Sequence, residues 1–168
     1  AEVITMGVRP DGFNINEGVG SADMAALSEL VRQQGANIGI AYDGDGDRVL
    51  MTDAKGEIID GDELVYIIAM YRLATGNSDA GVVGTQMSNL GLELALQEAG
   101  LQFVRAQVGD RYVKAQMEAN GWLLGSESSG HIICSNVTTT GDGIIASLQV
   151  VMALQAAQGN LAALRPGT

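Results

Sequence analysis

The chain is poor in cysteine, proline, aromatic residues and positive charge. Its single cysteine, Cys134, excludes an internal disulfide, and its apolar neighbours predict a buried thiol. Nine Lys and Arg residues against twenty Asp and Glu residues give a formal net charge of −11. This charge argues against nucleic acid or an anionic membrane as the main partner. There is neither an apolar run long enough to span a bilayer nor a signal-peptide pattern, so we expect a cytoplasmic protein.

Apolar residues and glycine are plentiful instead. Hydrophobic residues make up 46% of the 168 positions, which is enough for a core, and the 23 glycines predict many turns and close backbone contacts. The length suits one full domain, or one domain plus a piece of another. Because the chain opens in an apolar stretch (Val3–Met6) without an initiator methionine, we expect it to be an excised fragment.

Short apolar strands alternate with amphipathic helices, a pattern typical of βαβ units and of a mainly parallel, doubly wound α/β sheet. The turn Asp53–Gly56 is the best domain boundary, so we expect residues 1–53 to end one α/β domain and residues 54–168 to form a second. The expected strands are Val3–Met6, Ile38–Tyr42, Val49–Thr52, Gly81–Gly84, Gln102–Ala106, Leu123–Leu124 and His131–Cys134. The expected helices are Ala22–Gln34, Asp62–Ala74, Leu90–Ala99, Arg111–Asn120 and Gly143–Ala157.

The most informative motif is Asp43-Gly44-Asp45-Gly46-Asp47-Arg48, which follows an apolar strand. Alternating glycines let the backbone curl so that three carboxylates point at one place. Carboxylates that close repel one another unless a cation lies among them, and oxygen ligands select Mg²⁺ or Ca²⁺. The sequence therefore predicts a metal site at Asp43, Asp45 and Asp47; the alternative is a solvated acidic turn.

Spacing narrows the class of metal site. An EF-hand loop starting at Asp43 would need Gly at its sixth position and Glu at its twelfth, where this chain has Arg48 and Ala54. A haloacid-dehalogenase-type phosphatase, with Asp43 as nucleophile, stays open as an alternative, although Asp47 stands where that pattern has a small residue. A Ca²⁺-stabilised sugar-binding module is the non-enzyme alternative.

Two further loops carry polar groups. The loop Gly125–His131 holds Glu127, Ser129 and the only histidine, side chains that could bind sugar hydroxyls or move a proton. A polar surface turn would explain the loop equally well. The second loop, Val108–Lys114, leads from a strand into a helix, where free amides and cationic side chains could bind an anion; capping and solvation are the alternative.

In this order, these motifs resemble the α-D-phosphohexomutase superfamily over essentially the whole chain, and most closely its bacterial phosphoglucosamine mutases. The resemblance implies that the chain is the end of domain 2 followed by the three-layer α/β/α domain 3 of a four-domain enzyme. The segments that carry it are Gly12–Ser21, Asp43–Arg48, Val82–Gly91, Val108–Val113, Glu127–His131 and Thr138–Gly143. The segment Val108–Val113, together with Thr138–Gly143, favours this group over phosphomannomutases and phosphoglucomutases, which remain the alternative.

The resemblance also implies roles for residues. Asp43, Asp45 and Asp47 would hold a catalytic Mg²⁺, and Arg48 would act on the phosphate side. Glu127, Ser129 and His131 would contact the sugar, with His131 also catalytic. The remaining substrate contacts are expected at Gly109, Asp110 and Arg111.

The implied reaction interconverts glucosamine 6-phosphate and glucosamine 1-phosphate through a phosphoserine enzyme and a bisphosphate intermediate, for UDP-N-acetylglucosamine and cell-wall precursors. Its partners would be a phosphorylated amino sugar, the other domains of the parent enzyme and a second copy in a homodimer. The family's phosphoserine loop, the fourth Mg²⁺ ligand, is absent from this chain, as is its C-terminal phosphate loop. We therefore expect the isolated chain to be inactive as a mutase.

Overall fold

The computed structural model describes residues 1–77 and 80–166, which form two β-sheets and their covering helices. The helices are α1 (Ala25–Gln34), α2 (Gly61–Ala74), α3 (Leu90–Glu98), α4 (Asp110–Asn120) and α5 (Gly143–Ala156), with a short 3₁₀ helix at Ala162–Leu164. The strands are β1 (Gly39–Tyr42), β2 (Val49–Thr52), β3 (Ile58–Ile59), β4 (Gly81–Thr85), β5 (Gln102–Ala106), β6 (Leu124–Ser126) and β7 (Ile132–Cys134). In the described residues, no helix is long and apolar enough to cross a membrane.

The larger sheet has the strand order β5-β4-β6-β7. Strand β4 pairs in parallel with β5 and β6, and only the last pair, β6 with β7, is antiparallel. Neighbouring residues of β4 face opposite sides: Val82 packs in a core with α2, α3 and α5, whereas Val83 packs against α4. The sheet is therefore the middle layer of an α/β/α arrangement, and the expected mixed α/β fold is confirmed.

The smaller sheet is antiparallel, in the order β1-β2-β3. It shares the larger core, because Val49, Met51 and Ile59 are fully buried in the same cluster as residues of α2 and α5. Burying such a side chain stabilises a fold by about 1.5–3 kcal/mol. The Asp43–Arg48 loop connects β1 to β2, so this shared core fixes where the loop lies.

Two expectations about secondary structure were wrong, and one strand was not predicted. The stretch Val3–Met6 forms no strand; its first three residues are exposed, and it lacks a neighbouring strand to pair with among the described residues. Helix α1 starts at Ala25 instead of Ala22, since Ser21–Asp23 form a turn against Tyr42. The strand that was not predicted is β3, which consists only of Ile58 and Ile59 and is defined by its pairing with β2.

The domain boundary near residue 53 stays a prediction. In the structure, β3 lies beyond this position and pairs with β2, which lies before it. Helix α2 begins directly afterwards with a full capping box, in which Asp60 accepts from the amide of Glu63 and the Glu63 side chain accepts from the amide of Asp60. A boundary after β3 would keep the smaller sheet in one piece.

Asp62 is an acidic residue buried in the first turn of α2. It is 4% exposed, and its Oδ2 accepts from the amide of Asn89 at 2.7 Å. Burial raises the pKa of the Asp62 carboxyl above its ordinary value, and this hydrogen bond opposes the rise without cancelling it. The carboxylate form is thus more costly in the folded chain than in the unfolded one.

Replacing Asp62 by Asn should therefore change how stability depends on pH. A raised pKa means that the folded wild type binds the proton more tightly, so its stability falls as pH rises from about 4, the unfolded value, through the folded pKa. Asp62→Asn removes this loss and keeps an acceptor for the Asn89 amide. The free energy of unfolding of Asp62→Asn relative to wild type should increase with pH, measured by urea denaturation. A pH-independent difference would contradict the assignment.

Two glycines with positive φ offer a matched stability test. Gly130 (φ 93°) and Gly100 (φ 83°) both disfavour alanine, which costs about 1–2 kcal/mol. At Gly130 a Cβ would also collide with the carbonyl oxygen of Val49, whereas at Gly100 no described atom lies within 4 Å. Gly130→Ala should destabilise the fold by about 1–3 kcal/mol more than Gly100→Ala, as read from urea midpoints at unchanged slope. Equal losses would show that the Val49 contact is not tight.

Candidate metal and sugar site

The Asp43–Arg48 loop brings its three carboxylates together. One oxygen from each of Asp43, Asp45 and Asp47 lies within 4.8 Å of the others. The loop turns through a hydrogen bond from the amide of Gly46 to the carbonyl of Asp43, and Gly46 has φ 74°. Asp45 is exposed, and the other two aspartates are half-buried. The clustering that the sequence predicts for these side chains is therefore present.

Each of the two half-buried aspartates has one oxygen committed to the protein. Oδ1 of Asp43 accepts from the amide of Arg48 at 3.1 Å. Oδ2 of Asp47 lies 3.1 Å from Nδ1 of His131. The Arg48 Nε lies 3.9 Å from Asp43 Oδ2 and 4.0 Å from Asp47 Oδ1, with a side chain that is 49% exposed. The guanidinium of Arg48 thus lies near two of the three carboxylates.

The donor set suits a hard divalent cation. Oδ1 of Asp47 is buried and has no hydrogen-bond partner among the described residues, a costly state for a carboxylate oxygen. Carboxylate oxygens are ligands of Mg²⁺ and Ca²⁺. Since neighbouring oxygens around Mg²⁺ at about 2.1 Å are about 3 Å apart, the side chains would have to draw closer than 4.8 Å to bind it. Asp43, Asp45 and Asp47 therefore fit the ion that the sequence predicts.

The loop after β6 lies at the carboxyl edge of the parallel strands, where ligands bind in sheets of this kind. It is a tight turn, in which the amide of Gly130 donates to the carbonyl of Glu127 and the amide of Glu127 donates to the carbonyl of His131. Ser129 is exposed, Glu127 is half-buried and His131 is 5% exposed. Of these three side chains, only those of Ser129 and Glu127 are accessible to a ligand from solvent.

The loop before α4 meets this turn directly. The amide of Gly109 donates to Oε1 of Glu127 at 3.0 Å, with Gly109 at φ 125°. Asp110 and Arg111 are exposed at the start of α4. The Arg111 guanidinium donates to the Tyr112 hydroxyl at 2.6 Å and stacks 4.5 Å from the centre of that ring. At the predicted anion site, the Arg111 side chain is therefore at the surface and packs against Tyr112.

Backbone pairing joins the Asp43–Arg48 loop (the metal loop) to the Gly125–His131 loop (the sugar loop). Arg48 and His131 form an antiparallel bridge, and the amide of Val49 donates to the carbonyl of Gly130 at 3.1 Å. A third contact comes from the start of α5, where the amide of Gly143 donates to the carbonyl of Gly46 at 2.9 Å. The structure thus gathers residues far apart in sequence into one surface.

Sequence reasoning missed the contacts inside this surface. The imidazole of His131 packs on Gly141, at which a Cβ would collide with its Cε1 and Nε2 atoms. The glycine-rich segment Thr138–Gly143 is the signal in the sequence that points to this contact, and its Asp142 also caps α5. A cleft of 740 Å³ lies elsewhere, beside α2, α3 and Arg165, and none of the predicted site residues lines it.

Comparison with known proteins shows the family to which the chain belongs. The profile of the family described as phosphoglucomutase/phosphomannomutase, alpha/beta/alpha domain III matches residues 60–166. The phosphoglucosamine mutase of Aeromonas salmonicida is 58% identical over 99% of this chain, and that of Pseudomonas fluorescens is 56% identical over 98%. The chain spans 38% and 37% of the lengths of these two relatives.

Solved structures share the fold. A phosphoglucomutase/phosphomannomutase family protein of Burkholderia thailandensis gives a TM-score of 0.69 at 26% identity, covering 79% of this chain and 30% of that one. The N-acetylphosphoglucosamine mutase of Aspergillus fumigatus, in complex with GlcNAc-6P and magnesium, gives 0.62 at 18% identity, covering 89% and 37%. With the family profile spanning most of its length, the chain belongs to the phosphoglucomutase/phosphomannomutase family, of which it carries domain III.

Proposed function

We propose that this chain is the metal- and sugar-binding part of a phosphoglucosamine mutase, which interconverts glucosamine 6-phosphate and glucosamine 1-phosphate. The observation that carries the proposal is the joining of the two loops, with Asp47 of the acidic cluster 3.1 Å from His131 of the sugar loop. Relatives of that name, at 53–58% identity, support the substrate class. The other domains of the parent enzyme would supply the phosphoserine loop and the C-terminal phosphate loop.

Phosphoryl transfer depends on positioning and on neutralising charge, and the loop residues are arranged for both. Asp43, Asp45 and Asp47 would hold Mg²⁺, which when bound neutralises phosphate charge and polarises the transferring group. The exposed guanidinium of Arg48 is free to turn towards a phosphate, because its contacts with the carboxylates are as long as 3.9 and 4.0 Å. The fourth ligand, a phosphoserine, is expected from another part of the parent enzyme.

Sugar recognition would use the turn at the carboxyl edge of the sheet. Glu127 keeps Oε2 for a sugar hydroxyl while Oε1 accepts from Gly109, and Ser129 presents its hydroxyl to solvent beside it. Gly109, Asp110 and Arg111 border the same turn and would complete the contacts to the phosphorylated sugar. A catalytic role for His131, a cytoplasmic location and a homodimer stay predictions.

The alternatives are less well supported. Family membership favours neither a haloacid-dehalogenase-type phosphatase nor a Ca²⁺-stabilised sugar-binding module. A phosphomannomutase or phosphoglucomutase has the same fold, and the family name covers both, but the relatives that match at 53–58% identity are phosphoglucosamine mutases. Specificity for the amino sugar is therefore what an experiment has to decide.

Grafting gives a direct test of activity and specificity. This chain would replace the matching segment of the Aeromonas salmonicida enzyme, to which it is 58% identical. The chimera should interconvert the glucosamine phosphates in a coupled assay and prefer them to mannose and glucose phosphates, whereas the isolated chain should show no turnover. The same graft with Asp45→Asn is the control and should be inactive. A folded chimera that prefers mannose or glucose phosphates would contradict the proposal.

Metal binding can be tested on the isolated chain. Asp45 is exposed and offers its carboxylate to the cluster without any described hydrogen bond of its own, so Asp45→Asn removes a ligand while leaving the fold intact. The affinity of the Asp45→Asn variant for Mn²⁺, measured by electron paramagnetic resonance, and for Mg²⁺, measured by calorimetry, should be at least about tenfold lower than that of wild type. Glu118→Gln on α4 removes the same charge from an exposed site outside the cluster and should keep the affinity. Equal effects of both substitutions would mean that only net charge matters.

A further inference from the structure

We propose that His131 is a positioning residue for the metal: it holds the carboxylate of Asp47 in place and acts through it. This inference rests on the proposed metal site and assigns the histidine a task other than direct contact with the sugar. Its basis is the 3.1 Å contact between His131 Nδ1 and Asp47 Oδ2, which links residues 84 positions apart.

The hydrogen bond has one possible direction when the carboxylate is ionised. An ionised carboxylate only accepts, so Nδ1 of His131 must carry the hydrogen and donate it to Asp47. The neutral imidazole is then the Nδ1–H tautomer, with Nε2 left as an acceptor. Ligating carboxylates are commonly held by such outer hydrogen bonds, whose loss typically lowers metal affinity about 10–100-fold.

The surroundings keep the ring where it is. His131 is 5% exposed, and its Nε2 is buried without a hydrogen-bond partner among the described residues. Gly141 lies so close to Cε1 and Nε2 that even a methyl group would collide with them. The backbone of His131 is itself fixed by the bridge to Arg48. An imidazole enclosed in this way cannot swing out to a sugar without moving its neighbours.

The same contact orients the other oxygen of Asp47. With Oδ2 held by His131, Oδ1 is the buried oxygen without a hydrogen-bond partner among the described residues, and it lies 4.0 Å from Nε of Arg48. Asp47 is thereby hydrogen-bonded to His131, the first residue after the Glu127–Gly130 turn. A sugar that moves this turn on binding would also move Asp47, which couples the two loops.

Two isosteric substitutions of His131 separate positioning from bulk. The amide nitrogen of Asn occupies roughly the place of Nδ1, whereas that of Gln occupies roughly the place of Nε2. In the isolated chain, His131→Asn should keep the affinity for Mn²⁺ within about threefold of wild type, and His131→Gln should lower it about 10–100-fold. Circular dichroism on both variants checks that they are folded.

Nitrogen NMR of the wild-type chain without metal gives an independent readout. The long-range ¹H–¹⁵N spectrum should show the Nδ1–H tautomer for the only histidine, and Asp47→Asn, whose amide can turn its NH₂ group to the ring, should change that pattern. If wild type binds Mn²⁺ and His131→Gln binds it equally well, or if the spectrum shows the Nε2–H tautomer, the inference is wrong and the metal site stands. If wild type binds no divalent ion, the proposed metal site fails, and the inference fails with it.

Discussion

The pairing of two backbone segments, Arg48–Val49 with Gly130–His131, is the constraint on which the site depends. It joins the small antiparallel sheet to the larger, mainly parallel one. On one side it positions the loop with three carboxylates, and on the other the turn that ends β6. Gly130 is needed here because its Cα lies against the carbonyl of Val49, where any side chain would push the segments apart. One glycine thus permits the contact between two sheets.

The excess of negative charge at Asp43, Asp45 and Asp47 supports the proposed divalent cation at this loop. The three carboxylates, each with an oxygen within 4.8 Å of the others, carry a formal charge of −3, and the one guanidinium near two of them leaves a formal charge of −2. Two unit charges at about 4 Å repel by about 1 kcal/mol in water and by about 4 kcal/mol near a protein surface, so the repulsion is a real cost of folding. A divalent cation offsets this cost and also supplies a partner for the orphaned Oδ1 of Asp47.

Local signals predicted local structure well. Gly35 and Gly121 end their helices in the left-handed conformation, as a glycine after an amphipathic run predicts, and the Asp-Gly loop clusters its carboxylates. The predictions that failed concern features that depend on pairing between residues distant in sequence. Strand β3 is defined by β2, Val3–Met6 has the composition of a strand but no described neighbour to pair with, and no spacing rule links Asp47 with a histidine 84 residues away.

The two loops of the candidate site lie within a chain that spans 38% of the length of the Aeromonas salmonicida relative. Val49 and Ile59 from the small sheet share one buried cluster with Val150 of α5, so the metal loop and the sugar turn rest on a common core. Under the proposed function, the remainder of the parent enzyme would contribute the phosphoserine and the C-terminal phosphate loop. This core and the bridge between Arg48 and His131 bring the Asp43–Arg48 loop and the Gly125–His131 loop together.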